Sequence, residues 1–84
     1  LSSITVTSSI PEGSIASEMG ALQQQYPDVN IGLYPFYSAQ GAGVSVVARG
    51  RDVAQLQAVE TAIKAHLATI GAPLVDRPKA IASQ

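Results

Sequence analysis

Tyr26-Pro27-Asp28-Val29-Asn30-Ile31-Gly32-Leu33-Tyr34-Pro35-Phe36 holds a helix stop, a turn and an alternating segment in one run. Upstream of Pro27, the residues Ile15, Met19, Leu22 and Tyr26 recur at spacings of 4, 3 and 4, which is one stripe of an amphipathic helix. Pro27 ends it, because proline carries no amide donor and disfavours helical backbone before it. Ser14 is the expected N-cap. Gly20 costs such a helix about 1 kcal/mol relative to alanine, which is tolerable if another backbone packs close there. Downstream, Val29, Ile31 and Leu33 alternate with Asn30, Gly32 and Tyr34, so a half-buried strand follows the helix directly. Pro35 withdraws a ladder donor and is expected to end the regular pairing, with residues 36–39 continuing as an edge.

Working outward, Ile4-Thr5-Val6-Thr7 alternates at period two and predicts a first strand with Ile4 and Val6 inward. Gln40-Gly41-Ala42-Gly43 reads as the link of a hairpin, since two glycines there can take positive φ. The third strand is Val44 to Arg49, with Val44, Val46 and Ala48 on the core side. Asp52 followed by Gln55 resembles a capping box, and Val53, Leu56, Val59, Ile63, Leu67 and Ile70 mark the buried stripe of a second helix that ends at Gly71. Leu74-Val75 could add a short fourth strand.

The order β-α-β-β-α, with a possible final β, predicts an α+β fold. Its layout is the ferredoxin-like split βαβ, with two helices on one face of a three- to four-stranded sheet. The other face is expected to be free and mostly polar, carrying Thr5, Thr7, Asn30, Tyr34, Ser45, Val47 and Arg49. Residues 1–77 form the domain and 78–84 a disordered tail.

Eighty-four residues make one small domain, burying roughly 60–65% of the surface its unfolded chain would expose. The net charge is −1, and Lys and Arg form no cluster, so nucleic-acid binding by counterion release has little to work with. The absence of cysteine excludes disulfides and thiolate chemistry. No apolar run approaches the ~18 residues of a membrane span. The chain begins at Leu1 and reads as a segment of a longer polypeptide.

No catalytic, cofactor-binding or metal-binding residues are assigned, because each candidate has a simpler account. His66 is the single histidine; it flanks the second helix's stripe with no acid or histidine three or four residues away, so a border residue is the better reading than a ligand. Glu60 stands four residues before Lys64, the arrangement of a helix-surface ion pair. Glu12, Glu18, Asp28, Asp52 and Asp76 sit at element ends, where capping and solvation explain acidic residues. Gly41-Ala42-Gly43 precedes a strand, whereas a phosphate cradle opens a helix. Serine nucleophiles lack a neighbouring base. Tyr34 alone on the free face is too little for base stacking of the kind RNA-recognition sheets use. Along the second helix, Ala54, Ala58, Ala62 and Ala65 are read as a smooth patch opposite the core stripe, explained either by helix propensity or by a docking surface.

Three segments together carry a family resemblance. They are Ile10-Pro11-Glu12 with Ile15-Ala16, the run Tyr26 to Phe36, and Arg49-Gly50 with Asp52 and Leu56. Over residues 9–71 the chain resembles the C-terminal region of competence/damage-inducible CinA-like proteins, of the molybdopterin-binding-domain family. A related segment follows the corresponding domain in eukaryotic FAD synthases. Leu33 stands where that family usually carries serine.

The resemblance implies a cytoplasmic bacterial protein whose upstream molybdopterin-binding-like domain holds the ligand site. Pro11, Glu12, Gly32, Tyr34 and Pro35 would then be structural positions of an accessory subdomain that packs on that domain or on other copies of the chain. Neither nucleic acid nor membrane is an expected partner, and no cofactor is expected. The alternatives are a small-molecule regulatory module of the ACT type, and a contributor to a nucleotide or pterin site formed mainly by the upstream domain; an enzyme reading would have residues here complete that site, with Glu12, Tyr34 and Arg49 the first to test.

Overall fold

The computed structural model describes residues 1–39 and 41–75. Strand β1 (Ser2–Ser8) leads through a 3-10 turn (Glu12–Ser14) into helix α1 (Ala16–Gln25), and β2 (Asn30–Ser38) and β3 (Gly41–Gly50) form a hairpin before helix α2 (Val53–Thr69). The sheet order is β1-β3-β2, with β3 antiparallel to both neighbours. This is the expected α+β arrangement, and β1 and β2, running the same way, are joined across β3 by α1.

One core holds the layers together. Ile15, Met19 and Leu22 of the α1 segment meet Leu56, Val59, Ile63 and Leu67 of α2 over Val6, Val44, Val46 and Ala48 of the sheet, so both helices lie on one face. The register explains the alternation: Ile4, Ala48 and Ile31 share a row, as do Val6, Val46 and Leu33. Val29, just before β2, is also sealed in the core.

Several local expectations are corrected. Ser14 does not cap α1; it lies in the 3-10 turn, its amide donating to the Pro11 carbonyl at 3.0 Å, and Ile15 takes the cap position without a side-chain bond. No atom approaches within 4 Å of a Cβ built on Gly20, so no backbone packs against it. Val53 and Ile70 flank the α2 stripe and stay exposed. Asp52 does cap α2, accepting from the Ala54 and Gln55 amides at 2.9 and 3.3 Å. At the far end Gly71 adopts φ 73°, and the Ala72 amide donates to the Leu67 carbonyl at 2.8 Å, closing the helix in the manner that favours glycine.

Residues 36–38 continue β2 along the sheet edge as expected, but Pro35 does not interrupt the pairing, which runs to Ser38 opposite Gly41. The reason lies one turn back: the Ile31 amide points away from β3 and donates to Gln23 Oε1 at 2.9 Å. Period two then places the Leu33 and Pro35 nitrogens on the same outer side, so the missing N–H of Pro35 costs the ladder nothing. Gly41-Ala42-Gly43 belongs to β3 and not to the link, Gly41 with a positive φ of 105°; Gln40 lies outside the described residues.

The second sheet face also departs from expectation. Thr7 and Ser45 lie on it but are buried, their hydroxyls 3.0 Å apart. Thr5, Asn30, Tyr34 and Arg49 are exposed there, and Val47 is half-buried. At the β1 edge, Leu74 forms an isolated antiparallel bridge with Ser8, and the Val75 amide donates to the Thr7 carbonyl at 2.9 Å. Leu74-Val75 thus start a fourth position beside β1 without forming a strand. The expected tail 78–84, and Asp76, lie outside the described residues.

Candidate functional site

A concavity with several ionisable residues sits where β3 hands over to α2. A depression of about 600 Å³ is lined there by Asp28, Asn30, Arg49, Arg51, Asp52 and Gln55, among others. Sheet register builds it: Arg49 stands opposite Asn30 on β2 and Ser3 on β1. Arg51, two residues on, also lines it, as does Asp28, two residues before Asn30. From the other side come Asp52 and Gln55 at the start of α2.

The charges in this depression are not equivalent. The Asp52 carboxylate is turned to the helix, held by the Ala54 and Gln55 amides, where a negative group is stabilised by the unsatisfied N–H dipoles. The Gln55 side chain does not return the bond, so only the forward half of a capping box forms. Arg49 and Arg51 are exposed and join none of the ion pairs found among the described residues. Asp28 is exposed as well.

The other sequence candidates fall apart spatially. Glu60 pairs with Lys64 at 3.1 Å on the α2 surface, as its spacing predicts. His66 borders the core with its Nε2 buried and without a hydrogen bond. Its nearest charged neighbour is Glu18 of α1, with Oε1 3.7 Å away. That contact crosses between helices, so spacing along α2 could not reveal it. Glu12 lies in the 3-10 turn and does not line the depression. Tyr34 lies on the free face with its ring folded back over Gly32, where a Cβ would stand 2.9 Å from Cε2. It does not line the depression with Arg49, so the three residues singled out for a shared site, Glu12, Tyr34 and Arg49, are not brought together here.

No group of three or more His, Asp or Glu among the described residues is placed to hold a metal ion. No described helix is long and apolar enough to cross a membrane. On α2, Ala54, Ala58 and Ala65 are exposed, but Ala62 is partly buried against the core and does not belong to a patch opposite it.

A family model described as "FAD synthase, middle domain" matches residues 1–73. No curated protein and no solved structure gives a significant match. The match runs through every strand and helix described above. The chain belongs to the FAD synthase middle-domain family.

Proposed function

We propose that the chain is a non-catalytic accessory subdomain of a cytoplasmic CinA-like, molybdopterin-binding-type protein, acting by packing on the upstream domain or by contact between copies. The observation that carries this reading is the projecting hairpin. Strand β1 ends at Ser8 opposite Val44, so residues 36–38 of β2 and 41–43 of β3 extend past the end of β1. Near the tip Tyr37 is 83% exposed, a large aromatic surface of the kind that anchors contacts. The description of the matching family as a middle domain fits a module with neighbours. Exposed Ala54 and Ala58 offer a second smooth surface on α2.

The test uses the full-length protein carrying Tyr37→Ser, or Ala54→Glu with Ala58→Glu. Ala62 is left alone because it touches the core. These positions are exposed, so folding is preserved, and at least one set is expected to lower the molecular mass in light scattering or to open the domain junction to protease. Unchanged mass and an unchanged cleavage pattern in both sets overturn the proposal.

A further inference from the structure

The depression between β3 and α2 supports a reading that does not depend on domain packing. Arg49 and Arg51 both line it, exposed and without an ion-pair partner among the described residues, although two aspartates line it too. Two residues along extended backbone set their Cα atoms about 7 Å apart, close enough for both guanidiniums to reach one doubly charged group. Asn30 beside Arg49 and Gln55 on α2 add side-chain amides to the lining. Of the two acids, Asp52 already accepts from two backbone amides, which leaves Asp28 as the opposing charge among the described lining residues.

We propose that this depression binds a small phosphate-bearing ligand held between the guanidiniums of Arg49 and Arg51. Guanidinium presents paired N–H groups that match phosphate oxygens bidentately, and a charge-assisted bond of that kind is about twice as strong as a neutral one. The helix end does not carry the site, because Asp52 already occupies it. A phosphate suits the pair better than a lone carboxylate, since it brings two charges to two cations. Asp28 opposes binding, and that supplies a control of opposite sign.

The experiment titrates the full-length protein, at constant ionic strength, with inorganic phosphate, pyrophosphate and acetate, following amide and arginine side-chain shifts together with a calorimetric isotherm. Saturable shifts at residues 28–30 and 49–52 are expected, tightest for pyrophosphate. Arg49→Gln or Arg51→Gln should weaken phosphate binding about tenfold, the equivalent of one charge-assisted contact. Asp28→Asn should tighten it. All three side chains are exposed, so the variants keep their fold, which the dispersion of the same spectra checks. Shifts that fail to saturate, that acetate reproduces equally, or that survive both arginine substitutions overturn the proposal.

Discussion

The Gln23 side-chain carbonyl on α1 accepts the backbone N–H of Ile31 at 2.9 Å, while its Nε2 donates to the Val29 carbonyl at 2.6 Å. One side chain thereby ties the end of α1 to the outer edge of β2. A third bond, from Nε2 to the Tyr26 carbonyl at 3.2 Å, fixes the turn between them. Pro35, two positions beyond Leu33 on the same edge, offers no N–H, so that edge has one donor satisfied and one removed.

Gln23→Ala removes partners from part-buried backbone groups, and each such loss costs about 1–3 kcal/mol when water cannot fully replace it. The expected loss of stability in urea unfolding is about 1–2 kcal/mol. Amide exchange at Ile31 should accelerate more than at Val46. Equal stability of the variant and the parent would show that the clip contributes nothing.

Gly20 lies inside α1 with open space around it and without positive φ. Alanine there gains helix propensity and narrows the unfolded ensemble, so Gly20→Ala should stabilise the protein by about 0.5–1 kcal/mol. A decrease in the denaturant midpoint contradicts this.

Thr7 and Ser45 bury a pair of hydroxyls on the sheet face away from the helices. Thr7→Val or Ser45→Ala alone strands the remaining hydroxyl, whereas the double substitution removes both. The double-mutant cycle should therefore show a coupling of about 1 kcal/mol. Strict additivity would mean that water already satisfies these groups.

Gly32 and Gly43 both lie under aromatic rings, Tyr34 and Phe36 respectively, and alanine at either would collide with the ring above it. Tyr34 is half-exposed and can swing outward; Phe36 is more enclosed and sits directly opposite Gly43 in the register. Gly43→Ala should therefore cost about 1–3 kcal/mol, as overpacking does. Gly32→Ala should cost less. The reverse ranking in thermal unfolding refutes the assignment of the tighter contact.

Where periodicity is the signal, the sequence was readable. Ile15, Met19 and Leu22, the Val44/Val46/Ala48 row, and Leu56, Val59, Ile63 and Leu67 are all buried as their spacing requires. What sequence could not reveal depends on partners distant along the chain. Which side of β2 is its edge decides whether Pro35 breaks the ladder, and only the position of Gln23 settles that. Ser14 matches a cap by residue type, but the 3-10 turn after Pro11 claims it first. The Arg49–Arg51 depression escaped notice because its aspartates come from the β2 approach and the α2 cap. The family relationship is legible too, because one of the three segments that carry the resemblance is the Tyr26 to Phe36 run that also sets the architecture.

His66 provides the last test. Its buried Nε2 makes no hydrogen bond, and Glu18 is too far at 3.7 Å to accept one. A buried donor or acceptor without a partner costs roughly 1–3 kcal/mol, and the imidazole already contacts the apolar border of the core. His66→Leu keeps the apolar contact and removes the unsatisfied nitrogen, so it should raise stability by about 1 kcal/mol. Glu18→Gln, which is exposed on α1, should leave stability nearly unchanged, as expected when a contact at that separation is weak and solvent-screened. Destabilisation of similar size in both variants would instead establish an ion pair joining the two helices.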